Sequence, residues 1–493
     1  MQYFLKQLFN NLDKFANATA FHIEGQVYTY QDLGCRIAPI QKRISEYDNQ
    51  QYFAVVSRNH IDTYAAIFAL WLSGKTSVPL SAANPMHRNR YIIEQTGVKT
   101  IFDASIELLD IENSTTISTI NIDGGNLKPH FSETDLDTDL YLLFTSGSTG
   151  LPKGVRISRN NVQAYFEALE NCHYAIDHRD RFLNIYELTF DASVQCYVWP
   201  IVLGAAVYII PSGGMKFLMM IKTLQDHHIS VVKMTPSAIF YLQKYFSQIN
   251  LPHLRYSLFG AEALPAKLIE KWGNCVPNAE IHNVYGPTEA TVNCTFYKWT
   301  RNGENRILNG IISIGKTYLG TKAIVCDQKL NQQPAGAKGE LCLSGAQITK
   351  GYWQNDVLNN SSFFNLKLDG ATHRFYRTGD LAIIYPDGNI MFLGRIDSQV
   401  QIDGHRIELG EIEHYAYQFS SKKSVALAIQ HDEISNGIAL FIESEEISED
   451  ALFEYLRKSL PEYMIPSQVF FLKEIPLLIS GKTDRVKLFN LLK

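Results

Sequence analysis

Between Leu140 and Val155 the chain reads LYLLFTSGSTGLPKGV, an apolar run ending in a loop with three glycines, four serine or threonine hydroxyls and one lysine. Glycines without a Cβ let backbone N–H groups approach an anion, the hydroxyls add donors, and Lys153 adds positive charge, so the segment has the parts of a phosphate cradle. It is not a Walker A loop, because counting from Gly147 the position before the lysine is Pro152 and not glycine. The residues after Gly154 (VRIS) read as strand, so the loop is expected to hold phosphate mobile and exposed, away from any helix N-terminus. Taken alone, such a cluster is equally the composition of a surface turn. No metal chemistry competes with it. The fourteen histidines show no H-E-x-x-H or other ligand spacing, and the seven cysteines are scattered without a C-x-x-C pair, as fits a reducing compartment.

The elements that must carry this loop alternate in type. Tyr52–Ser57, Lys75–Leu80, Thr100–Phe102, Leu140–Phe144, Phe182–Ile185, Ala206–Ile210, Val231–Met234 and Ser257–Phe259 read as strands. Helical periodicity fills most of the gaps, as at Thr63–Leu72 and Met86–Gln95, which predicts α/β architecture with mostly parallel sheets. Phe4, Leu5, Leu8, Phe9, Leu12 and Phe15 repeat with helical period at the N-terminus. After about Ile311, short strands with Gly and Pro turns (Lys322–Cys326, Gly339–Leu343, Leu381–Tyr385, Ile390–Phe392) predict an antiparallel lobe. Beyond a boundary near Gly394–Asp397, a helix over Ile407–Phe419, strands over Val425–Gln430 and Ile438–Glu443, and a capped helix over Ser448–Lys458 predict a small α+β unit. The fold class expected is therefore α/β: a large N-terminal unit of α/β sheets plus a β-rich lobe, with a small α+β C-terminal unit.

At 493 residues the chain is too long for one compact domain, and its ordinary composition excludes a disordered, collagen-like or coiled-coil protein. The net charge of −5 offers no basic footprint for nucleic acid. From Arg395 onward there are 11 basic and 16 acidic side chains, so all the excess acid lies in the last fifth. The longest apolar stretch, Val198–Ile210, contains Pro200 and Gly204 and falls short of the ~20 residues that span a bilayer. A soluble, cytoplasmic protein without membrane contact is the expectation.

The loop is the first of eight motifs in order. TSGSTGLPKG is followed by FDAS (Phe190–Ser193), NVYGPTE (Asn283–Glu289), GELCLSG…GYW (Gly339–Trp353), YRTGD (Tyr376–Asp380), GRIDSQVQIDGHRIELGEIE (Gly394–Glu413), LPEYMIP (Leu460–Pro466) and SGKTDR (Ser480–Arg485). In order and spacing the series resembles the adenylate-forming superfamily, and within it the amino-acid adenylation domains of nonribosomal peptide synthetases, free-standing or excised. The resemblance runs over essentially the whole chain. It implies a core over 1–394 that binds ATP and an amino acid, and a mobile lid over 395–493. The implied reaction activates a carboxylic acid with ATP and Mg²⁺ to an acyl-adenylate, releases pyrophosphate, and passes the acyl group to the phosphopantetheine thiol of a carrier protein.

By the same resemblance, Thr145, Ser146, Gly147, Ser148, Thr149, Gly150 and Lys153 cradle the β- and γ-phosphates. Thr288 bonds a phosphate oxygen and Glu289 gives a carboxylate oxygen to Mg²⁺. Tyr285 stacks on adenine and Asn283 contacts its amino group. Asp380, read as part of a TGD turn, accepts from the ribose hydroxyls with help from Arg395. Lys482 bridges the substrate carboxylate and the α-phosphate. These residues also have plainer readings: Asp380 as a turn cap, Glu289 as a helix cap, Tyr285 as core, Lys482 as a solvated surface lysine and Arg395 as half of a structural ion pair.

Asp191 of FDAS is implied to pair with a substrate α-ammonium, against the alternative of a helix-capping aspartate. Ala192, Gln195, Lys233, Leu258, Gly260, Val284, Val292 and Asn293 are the positions implied to face the side chain. Gln195, Lys233 and Asn293 together favour a polar side chain with acceptor oxygens, glutamine or glutamate or a close relative. In the lid GRIDSQ is the implied hinge and Gly404 the implied lining of a phosphopantetheine tunnel. Gln401 and Asp403 stand where Lys and Arg are common in the family, which leaves the carrier protein undefined. The chain ends soon after Lys482, so the carrier is expected in trans, or in cis within a larger synthetase. The competing readings are an acyl-CoA synthetase, a non-catalytic nucleotide- or amino-acid-binding module, and, with less support, an amidating or tRNA-charging ligase.

Overall fold

A computed structural model describes residues 3–492 except 48, 121, 123–126, 148–150, 214, 398, 432–433, 445–446 and 478–482, with backbone alone for 430–436. The chain forms two compact units, one of 1–82, 93–143 and 154–394, the other of 83–92, 144–153 and 395–493.

The first unit is mixed α/β. Its larger sheet has nine strands, in the order Lys316–Thr317, Thr295–Trp299, Glu280–Tyr285, Tyr256–Phe259, Val231–Met234, Arg181–Asn184, Ala206–Ile209, Thr19–Ile23 and Gln26–Thr29. From Glu280–Tyr285 to Thr19–Ile23 neighbouring strands run parallel, and both edges are antiparallel. A six-stranded sheet runs Thr115–Ser118, Thr100–Asp103, Tyr52–Ser57, Thr76–Ser81, Asp139–Thr145 and Lys153–Ser158. Every residue of the helix Ile61–Leu72 is buried, as its all-round apolar sequence requires. The N-terminal helix, Tyr3–Lys14, buries Phe4, Leu5, Leu8 and Leu12, while Phe15 follows its end and stacks on His178.

The antiparallel lobe orders Thr321–Cys326, Lys338–Gly345, Ala371–Ile384 and Phe363–Leu368, with Ile390–Arg395 also on the third strand. One expectation fails here: Thr378–Asp380 is not a turn. It lies inside the fourteen-residue strand Ala371–Ile384, whose register against Lys338–Gly345 slips between Glu340 and Cys342. Gly379, at φ +71°, forms the kink of this bulge, a backbone state that glycine adopts without Cβ strain.

The second unit corrects another. The helix begins at Leu409, not at Ile407, because Gln399–Ile402 and His405–Glu408 pair as a hairpin closed by Asp403 (φ +50°) and Gly404 (φ +80°). Asp-Gly is a favoured two-residue hairpin turn, and it removes Ile407 and Glu408 from the helical pattern. Ser424–His431, Ile434–Ile442 and Gln468–Phe471 form a three-stranded sheet, and the helix Glu449–Ser459 is capped by Ser448. Among the described residues no helix is long and apolar enough to cross a membrane, and all seven cysteines are free.

Candidate active site

Three adjacent parallel strands and one helix of the first unit gather most of the residues implied to face the amino acid. Lys233 lies in Val231–Met234, register-paired with Leu258 in Tyr256–Phe259, which in turn pairs with His282 two residues before Val284. Gly260 follows directly. A Cβ there would stand 3.0 Å from Val284 O and 3.7 Å from Lys233 Cε, so its hydrogen leaves room for the lysine stem. Asp191, Ala192 and Gln195 share the first turn of the helix Ala192–Leu203, with Asp191 and Gln195 four residues apart on one face.

Asp191 occupies the N-cap position of that helix, yet its side chain makes no capping bond. Its Oδ2 is buried with no hydrogen-bond partner among the described residues. Burial raises the carboxyl's pKa above the ordinary range, opposed by the nearby charge of Lys233 and a hydrogen bond with Thr288, and reinforced by the charge of Glu289. Lys233 is 5% exposed and its pKa is lowered to about 8 by burial, against the favourable charges of Cys196 and Asp191. Its ammonium donates to Asn293 Oδ1 at 3.0 Å. Asn293 Nδ2 donates to Gln195 Oε1 at 2.8 Å and to Tyr165 OH at 3.3 Å, while Gln195 Nε2 is buried with no partner among the described residues.

Asn293 is held by an unusual turn. Thr291 and Val292, both β-branched, sit at φ +55° and +68°, a left-handed state of order 1–3 kcal/mol in cost per residue. Gln347 secures it, with Thr291 Oγ1 donating to Gln347 O at 2.6 Å and Gln347 Nε2 donating to Asn293 O at 2.8 Å.

The residues implied to take nucleotide divide between the units. In the first, Tyr285 OH donates to Asp380 Oδ2, and the Tyr285 hydroxyl's pKa is raised by its burial and by that carboxylate. The bulge holds Asp380 through its N–H to Thr378 Oγ1 (3.0 Å), while Gly379 N–H donates to Glu340, itself clamped by Arg377 at 2.7 Å. Asn283, 2% exposed, donates to Ser313 O at 3.0 Å. Glu289 is fully buried and accepts from Tyr352 OH at 2.7 Å.

In the second unit, Thr145 Oγ1 is buried with no partner among the described residues. Ser146 Oγ donates to Arg406 O at 2.8 Å, and Lys153 Nζ lies 3.8 Å from Glu408 Oε1. Gly147 offers its N–H to Glu411, which also pairs with Arg88 at 2.5 Å. Arg395 pairs with Asp397 at 2.5 Å. Ser148, Thr149, Gly150 and Lys482 lie outside the described residues, as does Ser398 of the implied hinge.

A buried orphan hydroxyl at Thr145 and a carboxylate at Asp380 suit a phosphate and a ribose. Among the described residues no group of three or more His, Cys, Asp or Glu gathers to enclose a metal. A single carboxylate, Glu289, suits Mg²⁺, which keeps most of its ligands as water and phosphate.

The description "AMP-binding enzyme" matches residues 8–353 of this chain. The chain belongs to the AMP-binding enzyme family. Zwittermicin A synthase ZmaJ of Bacillus cereus is 34% identical over 448 residues, covering 87% of this chain and 83% of that one. The first synthase subunits matched are 30% and 31% identical, and this chain spans only 9% and 18% of their length. In fold, the crystal structure of the Vibrio cholerae adenylation domain AlmE with glycyl-adenosine-5'-phosphate superposes with a TM-score of 0.85 at 23% identity, over 99% of this chain and 97% of that one. Holo-PA1221, described as an NRPS protein containing adenylation and PCP domains, gives 0.86 at 20% identity, over 99% and 84%. The AMP-binding enzyme is thus an AMP-forming, ATP-using ligase with the fold of the peptide-synthetase adenylation domains, and its α/β fold class is as expected.

Gln347, Tyr352 and Tyr165 position site residues and were not singled out in the sequence. Tyr352 falls within the GYW motif, a signal that could have marked it; Gln347 and Tyr165 carry no local signal.

Proposed function

We propose that this AMP-binding enzyme activates an α-amino acid to its aminoacyl-adenylate and passes it to the phosphopantetheine thiol of a carrier protein. The observation that carries the reading is Asp191, a buried carboxyl with one oxygen lacking a partner among the described residues. Such a group asks for a cation, and an α-ammonium supplies one. A fatty or aryl acid, as in acyl-CoA synthetases, would leave it orphaned.

With the ammonium fixed at Asp191, the α-carboxylate is oriented toward ATP. One carboxylate oxygen bonds to the α-phosphorus as the bond from that phosphorus to the pyrophosphate oxygen breaks, and pyrophosphate leaves with the electron pair. Thr145 and the rest of the loop to Lys153, with Thr288, hold phosphate oxygens, while Asp380 accepts from the ribose and Tyr285 and Asn283 flank the base. Glu289 would hold Mg²⁺, which would supply positive charge against the phosphates. Lys482 is assigned to the charge on the reacting phosphate, a preorganised contribution of order 10²–10³ in rate. In the second half-reaction the carrier thiol, losing its proton, attacks the acyl carbon and AMP departs. The lid role of 395–493 belongs to this proposal, as do Arg395 beside the ribose and the polar, glutamine- or glutamate-like side chain suggested by Gln195, Lys233 and Asn293. Similarity to a protein described with adenylation and PCP domains supports the carrier.

Pyrophosphate-to-ATP isotope exchange across the amino acids tests the reading. Exchange with at least one amino acid, lost in Lys482→Ala and Glu289→Gln, is expected. Exchange with none, by a protein that binds ATP, would overturn it.

A further inference from the structure

We infer that the pocket selects an amino acid whose side chain ends in a carboxylate, of the aspartate, glutamate or 2-aminoadipate class, with Lys233 taking that charge. The inference rests on the proposed adenylation of an amino acid and narrows it from polar side chains in general to acids over their amides.

The argument is one of donors and acceptors. At one end Asp191 presents an unpartnered acceptor oxygen. Four residues along the same helix face, a rise of about 6 Å, Gln195 presents the opposite: its oxygen accepts from Asn293, and its buried NH₂ has no partner among the described residues. Beside it the ammonium of Lys233 has three N–H groups, and among the described residues it donates one hydrogen bond, to Asn293 Oδ1. Asn293 in turn has its oxygen toward Lys233 and its NH₂ toward Gln195 and Tyr165. Among the described residues, the unsatisfied groups of this polar wall are therefore N–H donors.

A carboxylate accepts at both oxygens and satisfies such a wall. An amide brings its own NH₂ against these donors and leaves N–H groups buried without acceptors. A basic side chain is repelled, and an apolar one leaves the ammonium desolvated. Lys233 and Asp191 attract across the pocket, but among the described residues they form no direct ion pair. Each is thus available to the charge of opposite sign on an acidic amino acid. The bland alternative is that Lys233 only neutralises Asp191.

Exchange kinetics separate the two. For the intact protein, kcat/KM is measured with L-aspartate, L-glutamate, L-2-aminoadipate, L-asparagine, L-glutamine, L-leucine and L-phenylalanine. An acid is expected to exceed its own amide by about 10²-fold. Lys233→Met should lower the acid's kcat/KM by at least about 10²-fold, chiefly through KM, and move the amide's by less than about threefold. Preference of the wild type for an amide or an apolar side chain overturns the inference and leaves amino-acid adenylation standing. So does an equal loss on all substrates in Lys233→Met, the mark of mere neutralisation. Exchange with no amino acid overturns the adenylation reading instead, and the inference with it. Should Lys233→Met fail to fold, judged by its melting curve and ATP binding, the wild-type ratio alone decides.

Discussion

Asp191→Asn separates what the Asp191 carboxylate does for the fold from what it does for the ligand, because the two effects have opposite signs. In the ligand-free protein the carboxyl is buried with Oδ2 unpartnered, and burial holds its pKa above the ordinary range. A carboxyl raised on folding binds its proton more tightly in the native state. Ionisation therefore weakens the fold as pH climbs from the ordinary carboxyl value near ~4 through the raised one. An uncharged amide escapes that cost. Removing an unsatisfied buried charge is worth about 1–3 kcal/mol, offset by the loss of attraction to Lys233. A net gain of about 1 kcal/mol in a unit this large moves Tm by roughly 1–2 °C. Binding goes the other way. Losing a charge-assisted bond to the substrate ammonium costs about 1.5–3 kcal/mol, or roughly 10–150-fold in kcat/KM for the amino acid. Scanning fluorimetry from pH 4 to 8 and pyrophosphate exchange read the two effects. The wild type should lose ground to the variant in Tm as pH rises. A variant that melts lower at pH 7 and keeps exchange within about threefold refutes the reasoning.

Gly260→Ala sets a Cβ 3.0 Å from Val284 O and 3.7 Å from Lys233 Cε. It should raise KM for the amino acid by about tenfold or more and leave KM for ATP within about twofold, as exchange titrations will show. Tyr285→Phe removes the hydroxyl that Asp380 accepts from. A loss of about 1–2 kcal/mol in nucleotide binding is expected by calorimetry, and it should be non-additive with Asp380→Asn in a double-mutant cycle. Lys233, held to about 8 by burial and faced by Asp191 and Cys196 from the neighbouring helix, gives a pH signature. The kcat/KM for an acidic substrate should fall up to tenfold per unit above about pH 8. Stability shifts oppositely, rising from about pH 8 to ~10, where the unfolded lysine is still protonated and the folded one is not. Lys233→Met should flatten both profiles.

Much of the architecture was legible because it is written in local periodicity. The strands Tyr52–Ser57 and Val231–Met234 fall where their apolar runs place them, and the α/β alternation follows from the same pattern. Two local patterns misled. A helical period across Ile407–Phe419 ignored the Asp403-Gly404 pair, whose hairpin turn holds Ile407 and Glu408 in a strand. The Thr-Gly-Asp triplet looked like a turn because a bulge uses the same residues. Within the pocket, residue types were readable from motif order, but their pairing was not. Lys233 meets Asn293 sixty positions away, and Gln347 braces the Asn293 backbone from fifty-four away. Neither contact leaves a trace in local spacing, since both depend on which strands lie side by side.

Thr378, Gly379 and Asp380 stand opposite the single residue Leu341, two more than a regular ladder holds, and this insertion also decides which way Asp380 looks. Side chains alternate across a strand, and because two residues are added Ala371–Ile384 keeps the same facing on either side of the slip. Deleting Gly379 would still leave one residue too many opposite Leu341, put the strand on either side of the slip out of step, and turn the Asp380 carboxylate away from Tyr285. Length changes in this stretch should consequently be forbidden to a working enzyme, while the exposed turn at Asp369-Gly370, one hairpin earlier, has room to grow or shrink.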